Sequence, residues 1–228
     1  MKAFNLLWVV VFFLTFLCFQ GCTKQSVDQS KEMKKIALKK FENVLFKTGK
    51  ALRSKFQQTN SVFTSRNATT VVQNNQSTNF ENVMTEMDYR QSLDELLIES
   101  QNLLTTYDIL DSLGSEFGST EDTRIIASAI IVYGSEAHSD GNTIFSANAA
   151  GLSSGEVAGC VGLALGIGGG AFALFNGLAG AITVRGVVTL VMSTASRFLS
   201  WFGIAYAAWT LTDCLISQYN DSNNNYDY

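Results

Sequence analysis

Few side chains in this 228-residue sequence can do chemistry, and their spacing is poor for it. His138 is the one histidine, set in a polar stretch. A general base needs an orienting partner within hydrogen-bond reach, and a single loop imidazole is more often solvated than catalytic. No Ser-His-Asp set can be built around it. The four cysteines are Cys18, Cys22, Cys160 and Cys214. The last two stand far apart with no further ligand close by, so they do not form a zinc pattern. Gly166 to Gly170 is glycine-rich, but no Lys-Ser/Thr follows, which excludes a phosphate-cradling P-loop. Carboxylates between Glu81 and Asp108 read most simply as the solvated face of a helix. The expectation is a non-enzymatic chain with no catalytic, cofactor-binding or metal site. Lys34, Lys35, Lys39 and Lys40 are the remaining charged cluster. Nucleic acid, anionic lipid headgroups or plain solvent could each face it, and solvent is the ordinary case for a charge run.

The N-terminus decides among these. Lys2 opens an apolar run from Phe4 to Phe19, followed by Gln20-Gly21-Cys22. A basic start, an apolar core and a small residue at its end form an export signal. With Gly21 directly before Cys22, residues 1–22 resemble a bacterial lipoprotein precursor. The resemblance implies cleavage before Cys22, lipidation of Cys22, and a home in the cell envelope at the inner or outer membrane. An ordinary secretory signal and an uncleaved anchor are the other readings, although about 16 apolar positions are marginal for a permanent span. Export argues against nucleic acid and makes an anionic membrane surface the better partner, where each lysine is worth about 1 kcal/mol, while a solvated or salt-bridged helix face stays the ordinary reading of such a run. It also places Cys160 and Cys214 in a compartment that permits disulfides.

The elements that would position these groups are helical. Proline is absent, and charged residues make up 16% of the chain against about a quarter in ordinary domains. Residues 23–56 hold ten Lys or Arg against three acids, net +7, and residues 57–156 hold fourteen acids against three arginines, net −11. Apolar residues at three-to-four spacing (Phe41, Leu45, Leu52, Phe56) predict a basic amphipathic helix from about Ser30 to Gln57, weakened at Gly49. Residues 58–77 are polar and aperiodic and read as a loop. Thr78-Asn-Phe-Glu81 has the form of a capping box for an acidic helix reaching about Leu113, with Gly114 as its C-cap. The basic and acidic helices suit each other as antiparallel neighbours. Glu121 to Tyr133, apolar nearly all round yet too short to span a bilayer, predicts a buried helix.

The C-terminal third is the apolar part. Val157 to Thr183 carries no charge, and Val187 to Ser217 carries only Arg197 and Asp213. Val184-Arg185-Gly186 between them is read as a turn, giving a hydrophobic helical hairpin over residues 154–218. Gly151, Gly155 and Gly159, then Gly162, Gly166 and Gly170, repeat at spacing four, a pattern that lets helices approach closely. Arg197 is the polar intruder of the second arm, expensive in lipid without a partner. Trp201, Tyr206 and Trp209 on that arm read as an interface belt or as ordinary core aromatics. An antiparallel fold at 184–186 brings Cys160 and Cys214 to one end, so a disulfide is expected, with two buried thiols as the alternative.

The expected organisation is a signal over 1–21, a lipid-anchored tether over 22–29, a helical region over 30–153, the hairpin over 154–218, and a disordered polar tail over 219–228. The fold class is mainly α: amphipathic helices followed by a glycine-rich hydrophobic helical hairpin. The expected function is an exported envelope lipoprotein whose hairpin meets a membrane or an assembly, through self-association or other envelope proteins. Its plan resembles that of pore-forming colicins, as an analogy of architecture alone. The alternative is a periplasm-facing binding or scaffold module with the hairpin as its buried core.

Overall fold

A computed structural model describes residues 29–56, 85–139, 152–167, 178, 182–194 and 198–224. The chain divides into two compact units, residues 1–36 and 37–228. In the first, the described part is the helical run 29–36, with Met33 and Ile36 exposed. Among the described residues the structure is mainly helical, with no strand. Its elements are α1 (29–56), α2 (Glu86–Thr106), α3 (Leu110–Phe117), α4 (Thr123–Ser139), α5 (Ser154–Leu165), α6 (Val184–Thr194) and α7 (Trp201–Asn224).

Helix α4 is the axis of the second unit. Ile125 to Tyr133 are all buried, because α2, α3, α5, α6 and α7 pack around α4 and Phe41 of α1 meets Tyr133 at 5.8 Å. A helix apolar on every side has no solvent face to offer and is stable only when surrounded. The buried hydroxyl of Ser128 donates back to the carbonyl of Arg124, and Ser100 of α2 does the same to Leu96. Both polar groups are thereby satisfied without a partner from another helix.

Helices α1 and α2 are antiparallel neighbours: Lys47 pairs with Glu95, Lys55 donates to Ser92, and Phe56 stacks on Tyr89. Gly49 does not stop α1. The helix continues through it, and α7 crosses there so closely that a Cβ on Gly49 would lie 2.1 Å from Thr212 Oγ1.

Helix boundaries follow local chemistry. Helix α2 starts later than the Thr78–Glu81 pattern suggested, and that pattern lies outside the described residues. Its capping box is Thr85 with Asp88: the Thr85 hydroxyl accepts from the Asp88 N–H, and the Asp88 carboxylate accepts from the Thr85 N–H. The predicted single helix to Leu113 is interrupted by Asp108 at φ 56°, a left-handed residue that asparagine and aspartate tolerate. Gly114 is therefore inside α3, and Gly118, at φ 86°, is the cap. Arg124 then closes the α3–α4 corner. It donates to both oxygens of Asp122 and to the carbonyl of Phe117, and its guanidinium lies 4.7 Å from the Phe117 ring centre.

The predicted hairpin is reshaped. Helix α5 starts at a Ser153–Glu156 capping box and stops at Gly166, φ 70°, where the N–H of Ile167 returns to the carbonyl of Gly162. At 12 residues it is about 18 Å long, half of what an uninterrupted first arm would reach. Val184-Arg185-Gly186 is not a turn but the first turn of α6, with Thr183 accepting from the N–H of Gly186. The second arm is two helices, α6 and α7, with Ser200 accepting from the N–H of Gly203 at the start of α7. The tail expected from residue 219 is helical through Asn224. Cys160 of α5 and Cys214 of α7 are joined as a disulfide, their Cα atoms 5.5 Å apart. The two helices that pack on each other are α5 and α7, with α6 contributing to the α3 and α4 side.

Candidate interaction surface

Most sequence-derived candidates are dispersed. Cys22, Gly151, Gly170 and Arg197 lie outside the described residues, as do the 58–77 segment and the signal region. His138 belongs to the last turn of α4 rather than to a loop. No group of three His, Cys, Asp or Glu among the described residues is placed to hold a metal ion.

The glycine repeat proves to be three different things. Gly162 is buried in the core and Gly155 is half-buried. Gly159 is exposed, and a Cβ there would meet nothing within 4 Å, so it is no close-packing position. Gly166 ends the helix in a left-handed conformation. Spacing of four selects one helix face, but whether a neighbour lies over that face depends on where the helix stops and what packs on it. Close approaches are also made by glycines that the repeat did not single out: Gly49 against Thr212, Gly114 against Thr120, and Gly186, whose Cβ would lie 2.5 Å from Leu178 Cδ2.

What the fold does assemble is an aromatic cluster from three distant parts of the chain. Phe56, at the end of α1, is its centre. Its ring stacks on Tyr89 of α2 at 5.8 Å and on Trp209 of α7 at 5.1 Å, and meets Phe202 and Tyr206 edge-on at 5.8 and 6.1 Å. Tyr89 also meets Phe202 edge-on, and Tyr206 meets Trp209 edge-on. Positions 202, 206 and 209 repeat at four and three, so one stripe of α7 supplies all three rings. Phe56 and Tyr89 are buried beneath it, while Phe202 and Tyr206 remain 47% and 49% exposed. Leu199, just before α7, is 67% exposed. The outer rings are thus braced from below and bare above.

Polar groups fix the edge of this cluster. The N–H of Trp201, an unsatisfied donor at the start of α7, donates to the Glu86 carboxylate. Arg90 lies 5.5 Å over the Trp201 ring and pairs with Glu121 at 3.2 Å. Thr123 donates to the carbonyl of Phe198, tying the chain before α7 to the start of α4. These contacts hold the N-terminal end of α7 against α2 and α4. The Trp209 indole N–H has no acceptor among the described residues.

The second unusual feature is interior. Glu42 of α1 is 1% exposed, and the Tyr133 phenol is buried beside it. Burial first, and then the Glu42 charge, push the Tyr133 pKa well above its usual value. The phenol therefore stays neutral at any physiological pH.

The aromatic cluster was not legible in the sequence. Trp201, Tyr206 and Trp209 could be seen as neighbours on one arm, but Phe56 and Tyr89 reach them only through packing. No helix among the described residues is long and apolar enough to cross a membrane. Compared with known protein families, with curated proteins and with solved structures, the chain matches none.

Proposed function

We propose that this chain is an exported, lipid-anchored, non-enzymatic envelope protein whose C-terminal apolar helices form the core of a helical binding module. The observation that carries the reading is where the apolar surface goes. Val157, Val161, Leu165, Ile204, Ala208, Leu211 and Leu215 are buried in one core around α4. Their apolar surface is removed from water by the protein itself, at about 25 cal/mol per Å², and has no need of lipid to cover it. Gly21-Cys22 supports the anchor, and the bare rings of Phe202 and Tyr206 supply the contact surface for an envelope partner or a second copy of the chain.

The membrane-inserting version is the second reading. Leu163, Met192, Leu199 and Phe202, all on or beside the apolar helices and all exposed, favour it.

Two measurements in cells test these together. Fatty-acid labelling of the wild type against Cys22→Ala reports the anchor, which requires label on the wild type alone. Residues 23–228 exported behind a cleavable secretory signal are then washed with alkaline carbonate. Release into the supernatant fits a self-contained module. Retention in the membrane pellet supports inserted apolar helices and rejects the module.

A further inference from the structure

We propose that the outward face of α1 between Lys39 and Lys50 docks on anionic lipid headgroups. The proposal goes beyond the anchor and rests on it for one element, the proximity of a bilayer. On a 3.6-residue helix, the buried residues Leu38, Phe41, Glu42, Leu45, Phe46, Gly49 and Leu52 mark the inner face of α1. The opposite arc carries Lys39, Lys40, Asn43, Lys47 and Lys50, all exposed. Over residues 37–56 the one carboxylate is Glu42, and it is buried, so no acidic side chain within that span neutralises this arc.

The margins of the arc are occupied by ion pairs. Lys47 binds Glu95 of α2 on one side, and Arg53 reaches Asp213 of α7 at 3.4 Å on the other. Lys39, Lys40 and Lys50 have no carboxylate partner among the described residues. From Lys39 to Lys50 the strip is about 16 Å long, since each helical residue rises about 1.5 Å.

Its chemistry favours headgroups over a folded acidic protein. The uncompensated cations are all lysines, mobile point charges without the fixed fork by which arginine reads one carboxylate geometry. The exposed positions of the strip include no aromatic ring. An array of fluid phosphates asks for nothing more than positive charge along a line.

The test uses the intact chain with Asn43→Cys, labelled with a fluorophore and bound to phosphatidylcholine vesicles with or without phosphatidylglycerol, the quencher being carried on the headgroups. A label at Asp111→Cys, exposed on α3, is the comparison. The docked face predicts strong quenching at position 43 in anionic vesicles, little in neutral ones, and little at 111 in either. Raising ionic strength from about 0.15 M to about 1 M shortens the screening length from about 8 Å to about 3 Å and must relieve the quenching. Lys39→Glu with Lys50→Glu, checked by circular dichroism for a native fold, must weaken the anionic preference at least about 25-fold, at about fivefold per lysine. Equal quenching in both vesicle types, no quenching at 43, or an unchanged preference in the double variant overturns the proposal. So does loss of binding to soluble polyglutamate in the double variant while vesicle quenching stands. Repeating the measurement with Cys22→Ala separates the two ideas. If the charge preference survives when fatty-acid labelling fails, the anchor is wrong and the docking stands. If labelling succeeds and the preference is missing, the docking is wrong.

Discussion

Replacing Gly49 by alanine tests the closest helix crossing in the protein. Inside a helix this change ordinarily stabilises by about 1 kcal/mol, because glycine loses more backbone freedom. Here the new methyl would sit 2.1 Å from Thr212 Oγ1, 2.5 Å from Thr212 Cβ and 3.0 Å from Thr212 Cγ2. Rotating the threonine moves Oγ1 and Cγ2 but not Cβ, which is fixed to the α7 backbone. Ordinary carbon contact needs about 3.5–4.0 Å, so α7 must back away from α1 by roughly 1 Å or more. Overpacking of this kind costs about 1–3 kcal/mol. The shift also breaks the 3.3 Å bond from the Thr212 hydroxyl to the carbonyl of Leu45, worth about 1 kcal/mol. Set against the propensity gain, the net is a loss of about 1–3 kcal/mol. At about 2–4 °C per kcal/mol for a domain of this size, the midpoint falls by roughly 2–12 °C. Gly159→Ala is the control with the opposite sign. Its methyl meets open space on an exposed face, so it should gain up to about 1 kcal/mol. Urea denaturation followed at 222 nm reads both. A stabilised Gly49→Ala protein would refute the crossing of α1 and α7 at this point.

Three further outcomes are expected. Replacing Cys160 and Cys214 together by serine opens a link spanning 54 residues and should lower stability by about 4 kcal/mol in the chain-entropy account; denaturation with and without reductant checks it, and insensitivity of the wild type to reductant would argue against the bond. Phe56→Ala removes the ring at the centre of the aromatic cluster and should cost about 3–5 kcal/mol, with a red-shifted tryptophan emission as Trp209 loses its stacking partner; an unshifted spectrum counts against the cluster. Asp122 is pushed up by burial, but hydrogen bonds from the Arg124 side chain and backbone outweigh this and hold its carboxyl below the usual aspartate range. A carboxyl with a depressed folded pKa contributes stability that is present above its unfolded pKa and lost as pH falls through the folded one. Asp122→Asn should therefore be less stable than wild type at neutral pH and converge with it in strong acid; a constant difference across that range would contradict the pairing.

Several features are legible in the sequence alone. The helical class follows from three-to-four apolar spacing and the absence of proline. The burial of Ile125 to Val132 follows from a segment apolar on all sides and too short for a bilayer. The pairing of a basic with an acidic helix follows from the charge split between 23–56 and 57–156. Where reading failed, it failed on competition between local signals. Thr78–Glu81 and Thr85–Asp88 both look like helix starts. Gly114 and Gly118 both look like stops. The conformation at Asp108 chose between the second pair, and no propensity scale weights a single left-handed aspartate heavily.

The sequence by itself determined which faces must be buried, because periodicity is a property of one helix at a time. It also made Cys160 and Cys214 the natural pair, although the reason offered, a single antiparallel turn at 184–186, was not how they meet. Tertiary structure decided which buried face meets which. That choice depends on fit between surfaces far apart in the chain, such as Gly49 opening a gap for Thr212 and Phe56 reaching Trp209 across 153 positions. A repeat of glycines cannot announce this, since a missing side chain permits a close approach without saying what will make it.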